Sequence, residues 1–221
     1  MKLIGVLGGT FDPVHAGHLR LAIESFEQLN LDEVRLIPVS TPNHRGMPTA
    51  DAATRLSMLN QAANCLAETS TVIVDERELS RGGVSYMVET LESLKNDFPG
   101  DTFCLILGFD AFAKLTSWHR WQTLFDYSHI VIATRPGDSQ ISQGVEDLDG
   151  ELRDYLLDRV LQSPKQLLET SHGKILFIEI PLLEISSTDI RSRCQAGLDI
   201  SYLVPSNVQA IIKNKNLYRA P

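Results

Sequence analysis

The sequence has few cysteines and no long apolar run, and each shortage excludes a class of protein. The three cysteines, Cys65, Cys104 and Cys194, lie far apart among 221 residues. This spacing excludes both a disulfide framework and a CxxC metal site, so we expect reduced thiols. No uninterrupted run of about 18 apolar residues occurs, so no membrane-spanning helix is expected. The chain starts on a strand-like segment and not on the basic stretch and long apolar region of a signal peptide. A cytoplasmic location is therefore expected.

The sequence also lacks an excess of positive charge. It has 20 Lys and Arg against 28 Asp and Glu, a formal net charge of −8. A nucleic acid is bound through a clustered excess of Lys and Arg, so no nucleic-acid partner is expected. A small anionic ligand is compatible with this balance, because a local group of donors can oppose the global sign.

Short apolar runs rich in valine and isoleucine alternate with longer amphipathic segments. This alternation predicts βαβ units and an α/β fold with a Rossmann-like, doubly wound parallel sheet. The length and the 43% hydrophobic fraction predict a single domain over residues 1–221, ending in a small helical region. Strands are expected near residues 2–7, 33–39, 71–74, 102–107, 129–133 and 174–179.

Helical patterns fill the intervals between the expected strands. They lie near residues 17–29, 52–67, 85–96, 110–115, 121–125, 152–161, 187–195 and 206–214. The first of them places apolar residues from Leu19 to Phe26 at the spacing of one apolar stripe, and Asn30 is expected to end it. The stretch RPGDSQISQGVEDLDG, residues 135–150, is rich in Gly, Asp and Ser and predicts an exposed loop.

The first expected strand runs directly into the stretch GGTFDPVHAGH, residues 8–18, which opens a helix. In open parallel sheets this strand-to-helix turn is the usual phosphate site. Gly8 and Gly9 allow the backbone to approach a phosphate or to take a positive φ, and the helix start offers unpaired N–H groups. The stretch matches neither GxGxxG nor GxxxxGK[ST], which disfavours a Rossmann dehydrogenase and a Walker-type ATPase.

His15 and His18 stand one helical turn apart, so both side chains can face one ligand. A zinc site needs further ligands, and HxxH alone is a weak signal for one. A general base and a pair of one capping and one packed histidine are the other interpretations. The paired glycines and Thr10 favour an anion, since each supplies a donor or an opening for it.

The same stretch resembles the signature of the nucleotidyltransferases with an HxGH motif, present here as His15-Ala16-Gly17-His18. In that family the histidines and the threonine bind the phosphates of a nucleoside triphosphate, and the motif glycine keeps the helix start open to the nucleotide. The resemblance implies that His18 and His15 are catalytic. It assigns ATP binding to Gly8, Gly9, Thr10, Phe11, His15, Gly17 and His18.

The stretch ISSTDIR, residues 185–191, follows an apolar strand. Its hydroxyls lie at an expected helix start, where Ser187 is expected to be the cap, and Arg191 follows one turn later. This combination suits an anion, although a helix cap with a solvated arginine is the alternative. The stretch also resembles the late ISSTxxR motif of the same family. The resemblance implies that Ser186, Ser187, Thr188 and Arg191 hold the triphosphate from a second side.

Over nearly its full length the chain resembles the bacterial nicotinate-nucleotide adenylyltransferases. The stretch TPNHR is similar to their PPHK or PPHR loop, which implies that His44 and Arg45 bind the acceptor. The stretch DERELSRGGVSYMVETL, residues 75–91, resembles the family's segment that starts a helix near the nicotinate ring. This resemblance implies that Ser85 and Tyr86 also bind the acceptor. Met87 replaces a threonine that is common there, so a hydroxyl contact is missing and packing in a core is favoured for it.

Two later stretches extend the resemblance. LGFDAFAKLTSWHRWQTL resembles the family's GxDxxxxxxxW region, which implies that Gly108 and Asp110 contact the nucleotide and its ribose. Trp118 offers a flat face for stacking on the pyridine ring of the acceptor, whereas a structural role is favoured for Trp121. ATRPG resembles a strand-end RPG, which implies that Arg135 faces the acceptor phosphate or the nucleotide. Alternatively, Arg135 is a solvated loop residue.

The reaction implied by the resemblance is adenylyl transfer from ATP to nicotinate mononucleotide in NAD biosynthesis. Its products are deamido-NAD and pyrophosphate. Magnesium is expected to arrive with ATP, so no metal site built from protein side chains is expected. The alternatives are a related adenylyl- or cytidylyltransferase with another phosphorylated acceptor, and a nucleotide-binding protein without turnover.

Overall fold

The computed structural model describes residues 1–43, 46–66, 71–135, 148, 150–181 and 183–219. His44 and Arg45 therefore lie outside the described residues. The expected loop over 135–150 also lies outside them, except for residues 135, 148 and 150.

The strands are β1 Leu3–Gly9, β2 Glu33–Pro38, β3 Val72–Val74, β4 Thr102–Gly108, β5 His129–Thr134 and β6 Ile175–Glu179. They form one sheet in the order β3-β2-β1-β4-β5-β6. The pairs β1·β4, β4·β5 and β5·β6 are parallel. All six strands appear where the sequence predicts them, and the predicted α/β fold with a Rossmann-like parallel sheet is confirmed.

The helices are α1 Ala16–Leu29, α2 Ala52–Asn64, α3 Arg77–Arg81, α4 Met87–Asp97, α5 Phe109–Phe112, α6 Leu124–Tyr127, α7 Gly150–Leu156, α8 Ser187–Gln195 and α9 Ser206–Asn214. Single 3₁₀ turns cover Leu115–Ser117, Trp121–Thr123 and Pro164–Leu168. The predicted bounds of α8 and α9 match the structure. None of the described helices is long and apolar enough to cross a lipid bilayer.

Helix α1 shows why the apolar spacing is a reliable guide here. Leu19 and Ala22 of the predicted stripe are buried, as is Leu29 beyond it, whereas Ile23 and Phe26 are half-buried. The helix ends where Asn30 takes a left-handed conformation with φ of 51°, a backbone state that asparagine tolerates better than most residues. The predicted stop at Asn30 is therefore confirmed.

Several predicted helices are shorter than their patterns indicate. The helix predicted from residue 85 starts at Met87, because Tyr86 is extended. The one predicted to reach residue 161 ends at Leu156, because Val160 forms a β-bridge with Ile175. The helix predicted over 110–115 is replaced by α5 and the start of a 3₁₀ turn. The one predicted over 121–125 is replaced by a 3₁₀ turn and the start of α6. Helix α3 and the 3₁₀ turn Pro164–Leu168 were not predicted, since each is only five residues long.

Contacts between residues divide the chain into two compact units, each assembled from separate segments. Unit 1 comprises Met1–Leu7, Glu24–Val34 and Tyr86–Leu182, and unit 2 comprises Gly8–Ile23, Arg35–Ser85 and Leu183–Pro221. In unit 1, β5 is buried along its whole length, and Gly108 at the end of β4 pairs with Ala133. Unit 2 contains both predicted phosphate motifs. The single domain over residues 1–221 stays a prediction.

Candidate functional site

The first phosphate motif occupies the turn between β1 and α1. Gly8 and Gly9 are the last two residues of β1, and helix α1 begins at Ala16. The positive φ that the sequence allowed for the glycines falls instead on Phe11, at 51°. A non-glycine residue in this region costs about 1–3 kcal/mol, so surrounding contacts must hold the turn in place.

The side chain of Phe11 explains one of the two glycines. It is 1% exposed, and a Cβ atom added at Gly9 would lie only 3.0 Å from its ring. The same ring meets His18 edge-on, with 5.0 Å between the ring centroids. Phe11 therefore packs against the ring of His18, a predicted site residue. Its assignment as a direct ATP contact stays a prediction.

His15 and His18 form a stacked pair at the start of α1. Their ring centroids are 3.7 Å apart at an interplanar angle of 32°. The backbone N–H of His15 donates to Nδ1 of His18 over 3.3 Å. In a neutral His18 ring the proton must then sit on Nε2, which makes that atom a donor. This tautomer is the one that can hydrogen-bond a phosphate oxygen.

Burial decides the charge of His15. The residue is 6% exposed, and desolvation lowers its pKa from 6.5 to about 4. His15 is therefore neutral near pH 7 and acts as a hydrogen-bonding group rather than a cation. Its Nδ1 atom is buried and has no hydrogen-bond partner within the described part of the chain.

Gly17 belongs to α1 and lies against this pair. A Cβ atom there would lie 3.1 Å from the His15 ring and 3.5 Å from the carbonyl oxygen of Ile185. A contact of 3.1 Å with a ring fixed by burial would force the imidazole to move. Gly17 thus protects the geometry of His15, in addition to any opening that it gives the nucleotide.

The second motif begins helix α8, and its capping residue differs from the prediction. Ser186, not Ser187, is the N-cap, and its hydroxyl accepts a hydrogen bond from the backbone N–H of Asp189 over 3.0 Å. Ser187 is the first residue of the helix, where its hydroxyl donates to the carbonyl oxygen of Pro13 over 2.9 Å. The prediction of Ser187 as the cap was wrong by one residue because either serine satisfies the pattern.

Arg191 joins the two motifs. Its Nη1 atom donates to the carbonyl oxygen of Asp12 over 2.7 Å, and its Nη2 atom donates to Oγ1 of Thr188 over 3.2 Å. Arg191 is half-buried, so the alternative of a freely solvated arginine does not hold. Together with the bond between Ser187 and Pro13, this contact places the start of α8 against the turn before α1.

Three residues that the sequence did not single out support this turn. Arg55, on α2, is 1% exposed, and its Nη1 atom donates to the carbonyl oxygen of Thr10 over 2.9 Å. Asp12 is 4% exposed and accepts a hydrogen bond from the Tyr218 hydroxyl over 2.7 Å. Burial lowers the pKa of Arg55, and the negative charge of Asp12 opposes that shift. The sequence signal for this support was Arg55 itself, a charged residue on a helix face whose other buried residues are mostly apolar.

In unit 2, hydrogen bonds to Ser85 hold the part of the expected acceptor loop that the structure describes. The N–H of Ser85 donates to the carbonyl oxygen of Thr41 over 3.0 Å, and the Ser85 hydroxyl accepts from the N–H of Ser40 over 3.0 Å. Ser85 thus connects the start of this loop, at Ser40 and Thr41, to the segment directly before α4. Acceptor binding by Ser85, and by His44 and Arg45 outside the described residues, stays a prediction.

Unit 1 contains an aromatic pair beside the predicted stacking tryptophan. The rings of Tyr86 and His119 have centroids 4.5 Å apart, and Trp118, next in sequence to His119, is half-buried. Trp121 is 7% exposed, which confirms its structural role. Met87 is half-buried as the first residue of α4, where its N–H has no acceptor within the helix. His119 was not expected from the sequence.

The remaining predicted residues of unit 1 follow the ends of β4 and β5. Gly108 is the last residue of β4 and the N-cap of the short helix α5. Asp110, in the first turn of α5, and Arg135, directly after β5, are exposed. Gly108 pairs with Ala133, so these residues emerge at one edge of the sheet. Their roles in binding the nucleotide and the acceptor stay predictions.

The described residues contain no group of three or more His, Cys, Asp or Glu side chains placed to hold a metal ion. A divalent ion in this site would depend on ligands that a substrate brings.

Comparison with known proteins agrees with these features. A family model described as cytidylyltransferase-like matches residues 6–193. The chain is 44% identical over 217 residues to a protein of Methylococcus capsulatus named "Probable nicotinate-nucleotide adenylyltransferase", covering 98% of this chain and 99% of that protein. The chain belongs to the cytidylyltransferase-like family, among the nicotinate-nucleotide adenylyltransferases. A protein of the same name from Pseudomonas syringae pv. tomato is 44% identical over an alignment of 225 positions that covers 100% of this chain and 95% of that protein.

Solved structures support the fold. The nicotinic acid mononucleotide adenylyltransferase of Plasmodium falciparum, complexed with NaAD, superposes with a TM-score of 0.72 at 20% identity, over 99% of this chain and 98% of that one. The same enzyme complexed with APC superposes with a TM-score of 0.69 at 18% identity, over 99% and 98% of the two chains. At these identities the likeness extends to the arrangement of the sheet and helices.

Proposed function

We propose that this protein transfers the adenylyl group of ATP to nicotinate mononucleotide and so makes deamido-NAD and pyrophosphate for NAD biosynthesis. Full-length relatives named for this activity support the proposal. The observation that carries it is the pair of hydrogen bonds from Ser187 and Arg191 to the carbonyl oxygens of Pro13 and Asp12. These bonds bring together, within one unit, the two helix starts that are predicted to bind an anion.

Two helix N-termini that meet are suited to a polyphosphate. Each helix start has backbone N–H groups without acceptors in its own helix, and its dipole favours negative charge. The first helix start adds His15, directly before α1, and His18, and helix α8 adds Thr188 and Arg191. We assign the triphosphate of ATP to this position, with the β- and γ-phosphates on the side of α8.

The reaction needs donors more than it needs a base. The attacking group is the phosphate of the mononucleotide, whose second pKa is near ~6, so it is largely a dianion at pH 7. It attacks the α-phosphorus of ATP, and the bond to the leaving pyrophosphate breaks as charge builds on that group. Donors aimed at this charge lower the barrier, and one such donor is typically worth about 10²–10³ in rate.

His18 is our choice for the donor at the reacting phosphate. Its Nδ1 atom accepts from the His15 N–H, which directs the ring proton to Nε2. The ring of His15, with its centroid 3.7 Å from that of His18, is neutral, so no charge repulsion between the two rings opposes this arrangement. Thr10 completes this side. The N–H groups of Ala16 and His18 are already used, because they donate to the carbonyl oxygens of Leu203 and His15.

Magnesium fits the site only as an ion that ATP brings. The described residues contain no cluster of side chains that could hold it, so phosphate oxygens of ATP would be its ligands. When bound, the ion neutralises phosphate charge in the transition state. Arg191 and Thr188 then remain available as the protein's own contacts to the outer phosphates.

We propose that the acceptor binds to the residues that the family resemblance indicates. Trp118 would stack on the pyridine ring, and Ser85 and Tyr86 would lie near the same ring. His44 and Arg45 would also bind the acceptor, and Arg135 would face the acceptor phosphate or the nucleotide. A cytoplasmic location and a single functional domain are part of the same proposal, the former supported by three unpaired cysteines.

An acceptor panel tests the proposal. The purified protein is incubated with Mg-ATP and nicotinate mononucleotide, nicotinamide mononucleotide or phosphopantetheine, and pyrophosphate release is measured. We expect release with nicotinate mononucleotide and a dinucleotide product. Release with phosphopantetheine alone would indicate another acceptor class, and calorimetric binding of ATP without any product would indicate a nucleotide-binding protein.

A further inference from the structure

The carboxylate of Asp12 is a buried junction between three segments of unit 2. Its Oδ2 atom accepts from the Thr49 N–H over 2.7 Å, and its Oδ1 atom accepts from the Ala50 N–H over 3.1 Å. The Tyr218 hydroxyl donates to Oδ1 over 2.7 Å. The carboxylate is therefore committed to protein donors and does not face a ligand.

The main chain of Asp12 is bound at the same time. Its carbonyl oxygen accepts from Arg191, the residue that joins α8 to the first phosphate motif. On the other side of the strained Phe11, Arg55 holds the carbonyl oxygen of Thr10. The turn that presents Thr10 and the two histidines is thus held at both of its ends.

We propose that Tyr218 and Asp12 are positioning residues for adenylyl transfer: Tyr218 fixes the Asp12 carboxylate, and Asp12 fixes the turn and its contact with Arg191. The inference rests on the function proposed above. Neither side chain is placed in contact with a substrate, so each acts through Thr10, His18 and Arg191.

The hydroxyl of Tyr218 is the contact that can be removed with least disturbance. The ring is 5% exposed and would remain packed in a phenylalanine variant. Without the hydroxyl, the carboxylate keeps the bonds from Thr49 and Ala50, but Oδ1 loses the shorter of its two bonds, so the turn is held less firmly. Displacement of reacting groups by about 1 Å can reduce turnover up to about 10²-fold, so a small shift of the turn is sufficient for a measurable effect.

Tyr202 provides a matched control. It lies in the same unit, is 95% exposed and, like Tyr218, has a positive φ, 64° against 61°. The Tyr202→Phe variant therefore makes the same chemical change on a similar backbone without a buried partner. Any effect specific to Tyr218→Phe reports the bond to Asp12.

The test compares Tyr218→Phe, Tyr202→Phe and Asp12→Asn in steady-state turnover with ATP and nicotinate mononucleotide, well below their unfolding temperatures. We expect Tyr218→Phe to lower kcat about tenfold with KM for ATP nearly unchanged, and Tyr202→Phe to match the wild type. In the Asp12→Asn background, Tyr218→Phe should cause no further loss. Equal kcat for the two tyrosine variants, or losses that multiply in the double variant, would overturn the inference.

A spectroscopic measurement separates this inference from the proposed function. In Tyr218→Phe we expect the imidazole NMR resonances of His15 and His18 to move and those of the exposed His172 to stay. This readout needs no turnover. If the wild type makes no product but these resonances move, the proposed function alone fails; if they do not move, the positioning role fails even in an active enzyme.

Discussion

Arg191 Nη1 lies 2.7 Å from the carbonyl oxygen of Asp12, a residue that precedes it by 179 positions. This hydrogen bond turns two separate sequence motifs into one candidate binding site. It also explains why an arginine, with several donors in a fixed fork, suits this position: one nitrogen binds Asp12 and another binds Thr188. Lysine could not make both bonds with the same geometry.

Replacing His18 tests the assigned donor. We expect His18→Ala to retain the fold and to lose about 10²–10³-fold in kcat, because the ring donor to the reacting phosphate is gone. Turnover is measured by pyrophosphate release and folding by circular dichroism. His172→Ala, at an exposed histidine, should behave like the wild type. Near-normal turnover in His18→Ala would remove the assignment.

Gly17→Ala tests the space beside His15. The added Cβ atom would lie 3.1 Å from the imidazole, so we expect kcat/KM to fall roughly ten- to a hundredfold as the ring moves. Thermal stability should hold, since alanine is the better helix former. Gly100→Ala, where an added Cβ meets nothing within 4 Å, is the control. Equal kinetics in the two variants would show that the His15 position is not critical.

The burial of His15 predicts a stability that depends on pH. Its pKa is about 4 in the folded protein and near 6.5 when unfolded, so between these values only the unfolded chain binds the proton. The free energy of unfolding should fall as pH drops through this window, with His15 contributing about 2 kcal/mol between pH 7 and 5. Urea unfolding at both pH values measures this change. His15→Asn should show a smaller loss, and an equal loss would contradict the burial effect.

Ser186 and Ser187 should separate stability from activity. Ser186→Ala removes the N-cap of α8 and should lower the free energy of unfolding by about 1 kcal/mol. Ser187→Ala removes the bond to Pro13 and should mainly lower kcat/KM for ATP. Urea unfolding and ATP titrations on both variants check this pattern. The reverse pattern would restore Ser187 as the cap.

The cysteines should differ in reactivity. Burial raises the pKa of the Cys104 thiol to about 12, whereas Cys65 is exposed. A thiol reagent such as DTNB should therefore label Cys65 first and reach Cys104 only after denaturation, because the thiolate is the reacting form. Peptide mapping after timed labelling identifies the sites. Fast labelling of Cys104 in the folded protein would contradict the buried position of β4.

The strands and the phosphate motifs were accessible from sequence because their signals are local. Residues 103–107 form one continuous apolar run, which is typical of a strand buried on both faces. The histidines and serines of the two motifs lie at helix starts, where capping and anion binding depend on neighbouring residues. Short elements such as α3 lack that signal, since five residues do not show a helical period.

The sequence by itself determined the six strands, the two helix starts and the residue types that bind a polyphosphate. Only the tertiary structure decided that Arg191 meets Asp12, that Phe11 rather than a glycine takes the positive φ, and that His15 is neutral. The physical reason is distance along the chain. Burial and long-range hydrogen bonds are set by segments far apart in sequence, such as Asp12 and Tyr218, and no local pattern records them.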